Sequence, residues 1–140
     1  MGTYLGISSK IPEMNERLSF TRVMVQNYAF KTQKMEMDHP VAIISLGENV
    51  FEVRTTDSKC IILVENDAIR KKPTSNYLAF GVFKPQIGER LYCARLENTR
   101  ENGYALADVL TSNVMAIGYL GGAIRKVDTR NSTYYLLVTN

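Results

Sequence analysis

The chain has no tryptophan, one histidine, two cysteines and no apolar stretch approaching the roughly 20 residues that a bilayer-crossing helix requires. Each scarcity removes a class of function. Without an apolar span, a membrane partner is not expected. A lone histidine, His39, gives no paired imidazole ligands, and neither Cys60 nor Cys93 belongs to a CxxC pair, so no metal-ligand spacing appears. The two thiols read as small buried apolar groups instead. Residues 1–10 lack the basic segment and apolar core of a secretory signal, which makes a cytoplasmic location the expectation.

Catalytic signatures are equally sparse. His39 stands beside Pro40 with no Ser or Cys at a spacing that suggests a triad, and the acidic residues form no paired-carboxylate motif. Leu120-Gly121-Gly122 lacks the glycine pattern and following helix of a phosphate loop. The expectation is a protein that is not an enzyme and uses no cofactor and no metal. A net charge of +3 and a pI near 8.9 permit anionic ligands but fall short of the dense basic field typical of phosphate-backbone binding.

What the chain does contain is self-similarity. Moving residues 3–22 forward by 73 places sets Tyr4, Leu5, Pro12, Glu16, Arg17, Leu18 and Arg22 on Tyr77, Leu78, Pro85, Glu89, Arg90, Leu91 and Arg95. A shift of 74 sets Ala42, Ile43, Leu46, Gly47, Val53, Thr55, Ser58, Leu63 and Val64 on Ala116, Ile117, Leu120, Gly121, Val127, Thr129, Ser132, Leu137 and Val138. Unrelated segments of that combined length share about three identities at ordinary residue usage. The chain therefore reads as a tandem duplication of a module of ~67 residues: residues 1–67, a linker over 68–75, and residues 76–140. A module of that size buries only about 60% of the surface its unfolded chain exposes, so the halves are expected to pack together.

Composition and turn signals predict an all-β protein. Tyr4–Ser8, Leu18–Val25, Tyr77–Phe83 and Glu89–Leu96 read as strands, and equivalence between the copies extends the strand reading back over Glu13–Leu18. Val50–Thr55 with Cys60–Val64, and Ile124–Thr129 with Tyr134–Val138, form two versions of one β-hairpin around Thr56-Asp57-Ser58 and Arg130-Asn131-Ser132. Gly47 and Gly121 are expected at the preceding turns with positive φ. The closing strands are apolar on both faces, so their second face must be covered by the other half, another subunit or a bound partner. The predicted fold is two small five-stranded barrels, Src-homology-3-like or OB-like, packed as a pseudo-twofold pair; a single β-sandwich built from both halves is the alternative.

The copies diverge over residues 26–39 and 97–113, read as exposed connections in which specificity resides. The first of these carries Tyr28, Phe30, Lys31, Lys34, Met35 and Met37, a candidate binding rim. Asn98–Gly103 reads as a hairpin tip, and residues 66–69 as one helical turn before a basic linker. The repeated arginines Arg17, Arg22, Arg90 and Arg95 admit two readings. One is a contact from Glu16 to Arg22 and from Glu89 to Arg95; the other presents the arginines to an anionic ligand.

These features lead to a non-catalytic binding or interaction protein that holds an anionic small molecule or a protein partner between the modules or at their loops. A phage or mobile-element accessory factor that sequesters a nucleotide-like signal or blocks a host protein fits that description. Homo-oligomerisation is open. The competing reading is nucleic-acid binding through Arg17, Arg90, Lys31, Lys34 and Arg70–Lys72, with stacking by Tyr28, Phe30 or Tyr77.

Overall fold

The computed structural model describes residues 2–26, 29–65, 75–99 and 103–139, all of them in strands, turns and irregular connections. Tyr28, the expected helical turn at 66–69, most of the linker and the tip at 100–102 lie outside the described residues. The chain divides into two compact units, Met1–Thr74 and Ser75–Asn140.

The first unit contains β1 (Gly2–Ser8), β2 (Leu18–Gln26), β3 (Ala29–Met37), β4 (Ala42–Ser45), β5 (Val50–Arg54) and β6 (Ser58–Val64). They form one sheet in the order β3-β2-β1-β6-β5-β4, in which only the β1/β6 pair is parallel. The second unit contains β7 (Asn76–Gly81), β8 (Arg90–Thr99), β9 (Gly103–Gly121), β10 (Ile124–Thr129) and β11 (Thr133–Val138). Its five strands close into a ring, because the 19-residue β9 pairs with β8 through its first half and with β10 through its second.

Strand pairing in the two units follows the same offsets as the sequence identities. Gly6 pairs with Arg22 and Ala79 with Arg95; Thr3 with Lys59 and Asn76 with Thr133. Val50 pairs with Leu63 and Ile124 with Leu137, and Ile43 with Val53 as Ile117 with Val127.

The first unit departs from the expected five-stranded barrel at one place. The path covered by β9 alone in the second unit is split here into β3 and β4 by residues 38–41. Proline explains the break. Val114, which stands where Pro40 does, donates its backbone N–H to the Glu89 carbonyl at 2.8 Å and accepts from Gly88 N–H at 2.8 Å. Pro40 has no N–H for that bond and a fixed φ, so the strand interrupts and restarts.

Other expectations are corrected by the same backbone accounting. Residues 13–17 are a turn, closed by Glu16 N–H donating to the Glu13 carbonyl at 3.4 Å, and Glu89 N–H does the same to Gln86 at 3.1 Å. Gly88 takes φ 85° there, a conformation glycine adopts freely, so strand begins only at Leu18 and Arg90. The divergent segments are strands as well. β3 pairs with β2 over its whole length, from Leu18–Met37 to Gln26–Ala29, and Met35 and Met37 pack on the core, a burden that exposed connections do not carry. Gly121 and Gly122 have positive φ (117° and 53°) in the β9–β10 turn, whereas Gly47 lies in a bend without it.

Both hairpin ends are built alike: Thr55 N–H donates to the Ser58 carbonyl at 2.9 Å and Thr129 N–H to that of Ser132 at 2.8 Å. Each leads into the strand at the centre of its unit's core. Cys60, Ile62 and Val64 of β6 pack with Leu18, Phe20 and Val53. Tyr134 and Leu136 of β11 pack with Ala79, Leu91, Cys93, Val114 and Val127. On the opposite faces Ile61 and Tyr135 are at 0% exposure. β6 is buried on both faces from Cys60 to Val64, which matches its continuous apolar run, while β11 is buried over Tyr134, Tyr135 and Leu136 and partly exposed at Leu137 and Val138.

Candidate ligand site

The repeated arginines hold partners inside their own units. Arg22 lies 4.6 Å from the centre of the Tyr4 ring, and Arg95 lies 4.3 Å from that of Tyr77, a matched pair of cation–π contacts. Arg95 also bonds Glu97, and Tyr77 stacks on Tyr134 at 5.5 Å. Burial works against the Arg95 charge, but its bonds to Glu97 and Tyr134 more than offset this and raise its pKa. Arg17 Nε donates to the Met37 carbonyl at 3.4 Å, and Arg90 Nε to that of Thr111 at 2.8 Å, each tying its turn to the neighbouring strand. The expected contact from Glu16 to Arg22 is replaced by an ion pair between Glu16 and Lys10, because Glu16 sits in the turn rather than on the strand beside Arg22. This exposed pair raises the Lys10 pKa and lowers that of Glu16 through their hydrogen bond.

The remaining sequence candidates lie apart from one another. Lys31 and Lys34 are exposed on β3, three residues apart, so they project to opposite faces of the strand; Phe30 is half-buried on the Lys34 face. A binding rim in which the two lysines act together is not formed by this geometry.

Arg17 and Arg90 do line clefts at equivalent places, beneath the β1–β2 and β7–β8 connections, of about 340 and 350 Å³. The first contains Lys10, Glu13, Glu16 and Arg17, two charges of each sign. Such a lining has no electrostatic preference for an anion.

A third pocket does. It lies in the second unit where the β7–β8 connection meets the β9–β10 turn, has a volume of about 340 Å³, and is lined by Lys84, Ile117, Tyr119, Gly122, Arg125 and Val138 among others. Two cations enter it, and none of its lining residues is acidic. Tyr119 and Arg125 are cross-strand partners in the β9–β10 hairpin, and the guanidinium lies 4.4 Å from the centre of the Tyr119 ring. Arg125 Nη1 donates to the carbonyls of Gly122 at 3.0 Å and Ile124 at 3.1 Å, which fixes the side chain against the turn through one nitrogen. Its other donors keep their capacity for an acceptor. Tyr119 is 76% exposed, an open aromatic face. The arrangement matches a ligand with a negative group for Lys84 and Arg125 and a flat group for Tyr119.

Repetition concealed this site. The positions equivalent to Lys84, Tyr119 and Arg125 in the first unit are Ile11, Ser45 and Phe51, so a comparison that favoured shared residues passed over it. The usable signal was the reverse: basic and aromatic residues present in one unit where the other has apolar or small ones at the offset position.

Burial pushes the thiols of Cys60 and Cys93 up to about 12 and about 11, far from the reactive thiolate range. No group of three or more metal-ligating side chains converges among the described residues, and His39 is exposed. No family model, no curated protein and no solved structure matches this chain.

Proposed function

We propose that the chain is a non-catalytic binding protein that takes a small anionic ligand carrying a flat ring, of the nucleotide kind, in the pocket of Lys84, Tyr119 and Arg125. The observation that carries this reading is the convergence of two cations and an exposed tyrosine on a concave surface with no acid in its lining. The matching registers support descent of both units from one duplicated module, with the first kept as scaffold and the second specialised. The uninterrupted β7-to-β11 meander favours a Src-homology-3-like module over the OB kind, whose strands follow a Greek key.

The test is thermal melting against inorganic phosphate, mononucleotides and cyclic dinucleotides. A ligand that binds only the folded state raises the midpoint with concentration. The expected outcome is such a rise for at least one phosphate compound, absent in Arg125→Ala. A panel without any shift overturns the reading. A nucleic-acid partner would instead show affinity falling steeply with salt, as counterions are released from many phosphates.

A further inference from the structure

The donors of the Lys84, Tyr119 and Arg125 pocket can be counted, and the count separates one class of phosphate from another. Arg125 commits Nη1 to the Gly122 and Ile124 carbonyls. Its Nε and Nη2 form a second edge of the guanidinium and meet no acceptor among the described residues. That edge is a fork able to grip two oxygens of one phosphate side by side. Lys84, exposed on the β7–β8 connection, reaches the same pocket with an ammonium that forms no ion pair among the described residues. Two positive charges and three directed contacts therefore face a ligand.

Nothing in the lining offsets those charges. Asp128, the acid of β10, lies three residues beyond Arg125 and so projects to the other face of the strand, where its carboxylate accepts from the Thr133 hydroxyl at 2.8 Å. A phosphate monoester carries three terminal oxygens and close to two negative charges at neutral pH. A diester, as in a nucleic-acid backbone or a cyclic nucleotide, has two such oxygens and one charge, which leaves a donor and a cation unmet. Size points the same way. At about 340 Å³ the pocket stands near the lower end of ligand sites, roughly 300–1,000 Å³, with room for one nucleotide rather than two. The guanidinium covers one face of the Tyr119 ring, so a base has the other. Resting on the binding role proposed above, we infer that the pocket selects a single nucleotide ending in a phosphate monoester, with Arg125 Nε, Arg125 Nη2 and Lys84 Nζ each donating to one terminal oxygen and the base on the open face of Tyr119.

Isothermal titration calorimetry of the full chain tests this with the 5′-monophosphates of adenosine, guanosine, cytidine and uridine, each beside its 5′-phosphate methyl ester. The methyl ester keeps base and sugar but removes one terminal oxygen and one charge. The tightest-binding monophosphate should exceed its methyl ester by about tenfold, the worth of one charge-assisted hydrogen bond. Among the described residues the lining holds no carboxylate and no imidazole, so between about pH 5 and pH 8 the titrating group is the ligand's own phosphate, with a second pKa near 6. Monophosphate affinity should fall about fivefold from about pH 7.5 to about pH 5 while that of the methyl ester stays level. Lys84→Gln should remove most of the preference by weakening the monophosphate, and Arg125→Ala should abolish binding of both. Equal binding of the two esters, a monophosphate affinity level in pH, or a preference that survives Lys84→Gln overturns the monoester assignment and leaves the pocket standing as an anion site. Binding of none of these compounds overturns the pocket reading and the monoester assignment together.

Discussion

Phe20 packs on Gly6 so closely that a Cβ at Gly6 would lie 2.2 Å from its Cδ2. In the second unit the same two places hold Ala79 and Cys93, both buried: one residue gains a methyl where the other loses a ring. Gly6→Ala alone should therefore cost about 1–3 kcal/mol through overpacking. Phe20→Cys alone should cost about 3 kcal/mol through the cavity it opens. The double variant should lose less than the two combined, by about 0.5–3 kcal/mol of coupling, as read from urea denaturation. Additive losses would mean that the two sites do not share this packing.

Arg22→Ala and Arg95→Ala should each lower stability by about 0.5–2 kcal/mol, since each removes a cation from an aromatic face. The loss at Arg95 should be the larger, because Glu97 loses its partner as well. Neither substitution should alter the response to phosphate compounds. A variant with unchanged stability but abolished ligand response would return these arginines to the binding role that their repetition suggested.

The buried thiols carry a pH dependence whose sign follows from their direction of shift. Burial raises Cys60 to about 12 and Cys93 to about 11, while an unfolded thiol ionises near 8.5. Between those values the unfolded state releases protons that the folded state keeps. Their contribution to stability is thus intact below about pH 8.5 and is lost as pH rises through the folded values. Burial also raises Tyr135 to about 12, which adds in the same direction above pH 10. Denaturation midpoints should fall over this alkaline window, and less steeply in Cys60→Ala/Cys93→Ala. At pH 8 a thiol reagent should label neither cysteine until denaturant is added; rapid labelling of native protein would contradict the burial.

The sequence revealed most where its two similar segments could be compared. The terminal hairpins and the apolar runs of β6 and β11 all carried paired signals, whereas the shared identities at Glu16 and Arg17 placed strand on what is a turn. β3 and the first half of β9 were misread as connections. Their residues differ between the units, and their strand character comes from pairing with β2 and β8. Pro40 was visible, but its effect was not: it depends on the N–H that Val114 donates to Glu89 in the other unit. The pocket of Lys84, Tyr119 and Arg125 was hidden for a related reason. Its residues come from a loop and a hairpin some 35 residues apart, joined only when the ring closes.

Amide chemical-shift mapping of the labelled chain, titrated with the phosphate compound that most raises its melting midpoint, reports the site residue by residue. The account predicts saturable shifts centred on Lys84, Tyr119, Gly122 and Arg125 and abolished by Arg125→Ala, with residues 2–65 unmoved. Shifts centred on Arg17, Arg22 or β3, or no saturable shifts at millimolar ligand, would contradict it.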